Sequence, residues 1–367
     1  MPDIDPAPLR AIGLRPLLWQ RLQALHDPAI SALPPHTCPM RVTEVHRDGY
    51  RLHDGHTDHA ARARPRLLHE LADGDTALAV GDWVLATRFA DGAWWIEARV
   101  PPENHLVRRD ADGRRHPVVS NVDTALLVMG LDDDFNLRRL ERYLALVQGQ
   151  GLPAVVVLTK ADVAAACPGA VDEAVAALRR RLPGPIDVVA VDATAPAAAA
   201  ALRPWLVPGA TLVLLGSSGA GKSTLTNTLA GQALQDTGEV RSHDSRGKHT
   251  TTARTLVRLP CGACVIDTPG LRALRPDLDE ARLGQSFDDV SRLAPQCRFR
   301  NCRHGSEPGC AVRAGVDADR LRNYEKLLRE ARRDTMSVLE RREQLAQWKA
   351  RGREGAARAR LKRGGVP

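Results

Sequence analysis

Gly216-Ser217-Ser218-Gly219-Ala220-Gly221-Lys222-Ser223 is the stretch on which the fold of this chain turns. It matches G-x-x-x-x-G-K-[ST], follows the apolar run 211–215 and precedes the helix-compatible residues 224–229. A strand before and a helix after are the context in which that pattern carries its chemistry. The glycines let successive backbone N–H groups turn inward around a β-phosphate, and the helix N-terminus adds favourable partial charge. Lys222 is placed to reach the β- and γ-phosphates, and the Ser223 hydroxyl to bind Mg²⁺. The loop predicts a nucleoside-phosphate site running from Gly216 to Thr224.

Downstream, Asp267-Thr268-Pro269-Gly270 closes a predicted strand over 263–267. An Asp at the carboxyl end of a strand beside a phosphate loop is placed to hold Mg²⁺. The Gly270 N–H is then placed to bond a γ-phosphate and to release it after hydrolysis. Between the two motifs lies a Thr-rich segment from Gly247 to Arg254. A threonine there ligates Mg²⁺ only while a γ-phosphate is present, which makes an order–disorder switch. Thr251 is the candidate and Thr250 its rival. A Thr-rich entry to the strand starting at Thr255 is the plainer alternative.

Upstream, Thr159-Lys160-Ala161-Asp162 follows the apolar run 154–158. A carboxylate at Asp162 accepts hydrogen bonds from both N1–H and N2–H₂ of guanine. Adenine would leave buried polar groups unpaired, a strong basis for discrimination. Lys160 is expected along the base plane. Val191-Asp192-Ala193 ends the next strand and offers the Ala193 N–H to the guanine O6. A small-molecule kinase using ATP is disfavoured by this base motif and by the lack of an obvious substrate domain.

Together these five motifs resemble those of the Ras-like GTPase superfamily, with the base-reading pair moved ahead of the phosphate loop. That order resembles the circularly permuted GTPases. The flanks are similar to one branch, the ribosome small-subunit-dependent GTPase family (RsgA). The similar stretches are Gly81-Asp82-Trp83-Val84, Asn121-Val122-Asp123-Thr124, the run from Phe135 to Tyr143, and a cysteine-rich C-terminal region. The resemblance covers roughly residues 38–335. It implies GTP hydrolysis stimulated by the small ribosomal subunit, a role in late maturation of that subunit, and its rRNA as partner. Two positions depart from the pattern. Thr159 stands for the usual Asn, removing an amide partner, and Asp192 stands where Ser is more familiar. Leu271 follows the Asp-x-x-Gly motif where Ras-like enzymes carry a water-orienting Gln nearby. His249, two residues before Thr251, is the candidate for that role; the alternative is a group supplied by a partner. Leu271 also keeps open a different class of function, an RNA-docking protein that holds GTP or GDP as a structural ligand with little turnover.

Residues 37–108 read as short strands over 41–46, 50–53, 64–71, 83–88 and 94–99, separated by Asp-Gly turns. This spacing predicts a small closed barrel, with the OB-fold as the five-stranded candidate. Such barrels bind nucleic acid, or merely pack on a neighbouring domain. From residue 123 apolar strands alternate with helical segments, which predicts a doubly wound, six-stranded, mostly parallel sheet. The expected organisation is therefore an α/β P-loop GTPase domain, circularly permuted, over 118–275. It is flanked by an OB-fold β-barrel over 37–110 and a zinc-binding helical domain over 276–340. An extension over 1–36 precedes these, with an amphipathic stretch from Leu17 to Leu25 suited to docking, and a basic tail over 341–367 ends the chain.

Cys297-x₄-Cys302-x-His304-x₅-Cys310 gathers three thiolates and an imidazole within fourteen residues. This is the donor set of a closed tetrahedral structural zinc site. Cys261 and Cys264 flank the start of the Asp267 strand and read as structural. Arg298, Arg300 and Arg303 stand among the ligands, placed to meet RNA phosphate. Seven cysteines, an odd number, argue against a disulfide framework. The chain is 43% hydrophobic, enough for a core, but its apolar runs fall far short of the ~20 residues that cross a bilayer. Its start lacks the basic-then-apolar pattern of a secretory signal. A soluble, cytoplasmic protein with no membrane partner is expected, and a monomer, since no oligomerising stripe stands out. The net charge of +8, with nine Lys/Arg against two Glu over 341–363, suits a polyanionic partner or simply solvated arginines.

Overall fold

The barrel owes its closure to strands whose inward positions alternate. In a computed structural model, which describes residues 4–26, 33–34, 36–109, 114–182, 184, 186–234, 254–268, 275–276 and 280–335, two helices come first, α1 (Ala7–Arg10) and α2 (Pro16–His26). Then follow β1 (Cys38–Val45), β2 (Tyr50–His53), β3 (Asp58–Ala63), α3 (Pro65–Asp73), β4 (Trp83–Arg88) and β5 (Trp94–Arg99). Antiparallel pairings β1–β2, β2–β3, β4–β5 and β1–β4, with a parallel β3–β5 pairing, close an OB-like barrel. Met40 and Val42, Ala61 and Ala63, and Val84 and Ala86 point into its core two residues apart, as strand geometry requires.

One expected strand is a helix. Of residues 64–71, those from Pro65 on form the start of α3, because Pro65 at its first turn lacks an N–H to donate and has its φ fixed in the helical range. Leu67 and Leu71, four residues apart, then both reach the barrel core. The third strand lies earlier, over β3, where alanines make the inward row and give little hydrophobic signal.

After the barrel come a hairpin, β6 (His105–Arg109) and β7 (Arg115–Ser120), and then the α/β region. Its elements are β8 (Thr124–Gly130), α4 (Leu137–Gln148), β9 (Ala154–Thr159), α5 (Ala161–Ala164), α6 (Ala170–Arg181), β10 (Asp187–Ala190), α7 (Ala197–Leu202), β11 (Thr211–Leu215), α8 (Lys222–Ala230), β12 (Thr255–Arg258) and β13 (Cys264–Asp267). A two-residue strand β14 (Arg275–Pro276) pairs with β6. The helical region comprises α9 (Glu280–Ser286), α10 (Asp288–Leu293), α11 (Ala311–Gly315) and α12 (Ala318–Thr335).

The strand order β10-β9-β8-β11-β13-β12 puts β11, which leads into the phosphate loop, between two parallel neighbours. Only β12 runs antiparallel, against β13. The sheet does not end at β12. Thr255 pairs with Glu44, so the sheet continues into the barrel as one eleven-stranded array and no open edge is left there.

The N-terminal stretch packs on the sheet and barrel; in α2, Leu18 and Leu22 are buried while Leu17 is exposed. Leu9, Ile12, Leu14, Leu18 and Leu22 are buried in the cluster that also holds Trp83, Leu127 and Ile266. A fully buried arginine secures this seam. Arg41 donates to the carbonyls of Ile12, Gly81 (3.4 Å) and Asn121 (3.2 Å) and lies over the Trp83 ring. Its charge is thus satisfied by three backbone oxygens, as a buried guanidinium requires. Among the described residues no helix is long and apolar enough to cross a membrane.

Candidate functional site

The carboxyl ends of the parallel strands β9, β10, β11 and β13 lie along the same edge of the sheet, the edge at which open α/β sheets bind ligands. At the end of β11 the chain must turn tightly against β8. A Cβ on Gly216 would come 2.3 Å from the Val128 carbonyl oxygen, so only glycine fits. Gly221, at φ +86°, caps α8 in the left-handed region. Ser218 and Gly219 at the crown of the loop are exposed, Ala220 is buried, and Thr224 sits half-buried in the first turn of α8.

Lys222 is buried, and its Nζ donates to the Gly216 carbonyl at 3.0 Å and the Ser217 carbonyl at 2.5 Å. Burial pulls its ammonium below the ordinary lysine range, and the charges of Asp267 and then Asp134 oppose that shift. Ser223 Oγ donates to Asp267 Oδ2 at 3.2 Å. Asp267 ends β13 in a buried position, and the next residue, Thr268, ties its hydroxyl to the Leu214 carbonyl at 2.5 Å. A hydroxyl and a carboxylate side by side at the end of parallel strands are hard oxygen donors of the kind Mg²⁺ prefers.

On the base side, Thr159 is fully buried at the end of β9. Its hydroxyl donates to the Ala220 carbonyl of the phosphate loop at 2.7 Å and is 3.4 Å from the Met129 carbonyl. Lys160 adopts φ +59°, and its Nζ is 2.5 Å from Asp132 Oδ2. Asp162 stands exposed on α5. The Ala161 N–H donates to the Val191 carbonyl at 3.2 Å, which joins the two base-side segments. Asp192 turns its carboxylate onto the Thr194 N–H (2.8 Å) and hydroxyl (2.6 Å), and these bonds hold it below the usual carboxylate range. The buried Ala193 accepts the Thr228 hydroxyl of α8 at 2.6 Å. Hydrogen bonds thus join the segments in pairs: Thr159 to Ala220, Ser223 to Asp267, Ala161 to Val191 and Ala193 to Thr228. His249, Thr250, Thr251, Gly270, Leu271 and the basic tail lie outside the described residues.

Asp132 and Asp134 were not among the expected residues, yet both reach the site. Asp134 Oδ1 accepts the Ser217 hydroxyl at 2.5 Å. The available signal was three aspartates directly after an apolar strand, which by pattern alone reads as a solvated turn.

The second cluster lies in the helical region. Cys297, Cys302, His304 and Cys310 bring their donor atoms within 4.8 Å of one another. Cys297 and Cys310 sulfurs are 3.9 Å apart, and each lies near His304 Nδ1, at 3.7 and 3.5 Å. Thiolates around a tetrahedral ion bonded at about 2.3 Å would stand about 3.8 Å apart. The cluster fits a metal ion with all four positions filled by protein. Cys310 also caps α11, accepting the Arg313 N–H at 3.4 Å. Cys261 and Cys264 do not join it; the first is exposed and the second buried in β13.

A phosphate loop backed by an Mg²⁺-type carboxylate, with a T-K-x-D base loop that precedes both in the chain, defines a circularly permuted P-loop GTPase. Comparison with known proteins gives the family. Residues 99–276 match the model of the RsgA GTPase family. The chain is 47% identical over 309 residues to the small ribosomal subunit biogenesis GTPase RsgA of Xanthomonas oryzae pv. oryzae (strain MAFF 311018), covering 82% of each chain. It is 46% identical over 319 residues to the protein of that name from Xanthomonas campestris pv. campestris (strain B100), covering 84% of this chain and 83% of the other. The chain belongs to the RsgA GTPase family, and it is a GTPase. Its fold is similar to that of YjeQ from Thermotoga maritima, with a TM-score of 0.57 at 23% identity, covering 80% of this chain and 98% of that one. It is also similar to YloQ, described as a circularly permuted GTPase, with a TM-score of 0.54 at 24% identity, covering 83% and 98%.

Proposed function

We propose that this GTPase acts in late maturation of the small ribosomal subunit, binds its rRNA, and hydrolyses GTP faster when the subunit is present. The observation that carries the partner is the 47% identity over 82% of the chain to a protein named for small-subunit biogenesis. The Lys222–Ser223–Asp267 geometry supports the chemistry. Phosphoryl transfer asks the protein mainly for positioning and charge stabilisation. The backbone N–H groups of the loop from Gly216 to Gly221 cradle the β-phosphate, and Lys222 exchanges its two carbonyl partners for phosphate oxygens. Ser223 and Asp267 would hold Mg²⁺, which when bound neutralises charge on the β- and γ-oxygens. Asp162 reads the guanine edge, Lys160 lies along the base, and the Ala193 N–H meets the guanine O6. Thr251 completes the Mg²⁺ shell in the triphosphate state and Gly270 senses the γ-phosphate. Leu271 has no group to orient water, so His249 takes that task.

The Cys297–Cys302–His304–Cys310 site holds one structural Zn²⁺, and with no open coordination position it folds the domain and does no chemistry. Phosphate release from GTP and from ATP, each with and without purified small subunits, tests the whole reading. GTP turnover is expected to rise with subunits by at least about tenfold, a small part of what correct placement of a water-orienting group such as His249 contributes. Equal turnover with and without subunits would sink it.

A further inference from the structure

The run from Phe135 to Tyr143 marks the sequence by resemblance alone, with no chemistry attached to it. The structure sets the turn just before it, with Asp132 and Asp134, between the base loop and the phosphate loop. In the turn that leaves β8, Asp132 meets Lys160 of the base loop at 2.5 Å. Two residues on, Asp134 meets Ser217 of the phosphate loop at 2.5 Å. Asp134 is itself fixed on both oxygens, by Arg139 at 2.6 Å and by the Gly130 N–H at 3.2 Å. Asn136 then caps α4 by accepting the Arg139 N–H at 3.0 Å. Ser217 is buried and supplies one of the two carbonyls that hold Lys222, so whatever fixes Ser217 also fixes where the lysine starts. A hydroxyl bonded to a carboxylate is charge-assisted and stronger than a neutral pair.

The flank of the same helix grips the helical region. Glu141, buried on α4, accepts from Arg181 of α6 at 2.7 Å, and from Arg320 at 2.8 Å and Asn323 at 2.6 Å on α12. One helical turn apart from the Arg138–Asp319 pair, Arg142 holds Glu330 of α12 through two bonds of 2.5 and 3.0 Å. Ala145 lies in the apolar cluster of the helical region with Phe287 and Val312.

We propose that Asp134 is a positioning residue that fixes the phosphate loop through Ser217, and that α4 is the rigid element through which the helical region bears on that loop. The second half rests on the subunit-stimulated reading given above. One end of the link, Arg138, Glu141 and Arg142, lies on α4; the other, Asp134, lies in the turn just before it and is tied to α4 by Arg139 at 2.6 Å, so a load applied at α12 has a short polar route to Ser217.

A double-mutant cycle on the full chain tests the first half. Affinity for a fluorescent GDP analogue with Mg²⁺, and KM and kcat for GTP, are measured for Ser217→Ala, Asp134→Ala and the pair. Each single change is expected to weaken nucleotide binding and raise KM by about fivefold to tenfold, the loss of one hydrogen bond to a charged group, with kcat at saturation held within about twofold. The pair should be no worse than the weaker single variant. Additive losses, or unchanged affinity in Ser217→Ala, would overturn the positioning role. Ser217→Ala removes one oxygen, so it decides the matter even if Asp134→Ala folds poorly.

The second half is tested with Glu330→Gln, half-buried and remote from the nucleotide. Its basal turnover should match the parent, while the ratio of subunit-stimulated to basal turnover falls by about threefold or more, the share of one ion-pair anchor. An unchanged ratio would overturn the link. If subunits fail to stimulate the parent itself, the reading of the partner fails, and the GDP cycle still judges the positioning of Ser217.

Discussion

Thr159 carries a hydroxyl where the related pattern has an amide, and that hydroxyl bonds the Ala220 carbonyl of the phosphate loop at 2.7 Å. The residue thus ties the base-reading side to the phosphate side, and the two should respond differently to substitution. Thr159→Val keeps the shape but strands a buried carbonyl, at a cost of about 1 kcal/mol, so GTP and GDP should both bind about fivefold more weakly. The preference for guanine over adenine should not change, because the base edge is met elsewhere. Asp162→Asn should do the reverse. A donor then faces the guanine donors, and the GTP-over-ATP preference should fall by about 100-fold or more, read from competition binding with both nucleotides. A Thr159→Val variant that lost its guanine preference would show that the hydroxyl contacts the base. The two residues also mark what a sequence can disclose. Asp162 is legible as a candidate because the chemistry proposed for it lies in its own side chain. The partner of Thr159 is 61 residues away in the chain, and only the sheet brings it near.

At the scale of elements, α12 is held by charge as much as by apolar contact. Arg320 is buried over the Phe287 ring, 4.5 Å from its centre, and forks onto Asp289 at 2.7 and 2.9 Å. Burial alone would raise the Asp289 carboxyl, but the hydrogen bonds and charge of Arg320 outweigh it and hold that carboxyl below its ordinary range. A carboxyl lowered on folding adds stability that is complete above its unfolded value of about 3.9 and is lost as pH falls through the lower folded value. The gap in unfolding temperature between parent and Asp289→Asn should therefore be constant from neutral pH to about pH 5 and close in more acid solution. A gap independent of pH down to about pH 2 would mean that the variant acts by packing and not by charge. This network had little sequence signature, since Glu141 sits 179 residues from Arg320. The nucleotide elements were legible because strand, glycine loop and helix follow each other locally. The third barrel strand was not, because Ala61 and Ala63 are small and Leu67, Leu68 and Leu71 after Pro65 supply the louder apolar run.

For the molecule as a whole, the order of its parts was readable, but the joints between them were not. Arg41 sews the N-terminal stretch to the barrel through backbone carbonyls, and the Thr255–Glu44 pairing runs the barrel into the nucleotide sheet. The first joint lands on Gly81, Trp83 and Asn121, inside two of the family-like stretches, and the second uses no motif. The helical region differs from both, because its own apolar cluster is small, with Leu283, Phe287, Val290, Val312, Val316, Leu321 and Leu327 at its centre. Cores of that size need a staple, and Cys297, Cys302, His304 and Cys310 are placed to hold one. The nucleotide sheet has two larger clusters that do not include them. Stripping metal with a strong chelator should therefore unfold the helical region while leaving the sheet folded. Metal analysis should find about one zinc per chain before treatment. After it, helix content should drop, subunit-stimulated turnover should vanish, and GDP binding should survive, weakened by no more than about tenfold because α4 has lost its anchor. Restoring zinc should recover all three. If the metal-free protein kept its full helix signal and its stimulation, the cluster would be dispensable. If it lost GDP binding altogether, the helical region and the sheet would fold as a single unit, and the small core around Phe287 would not be the weak point of the molecule.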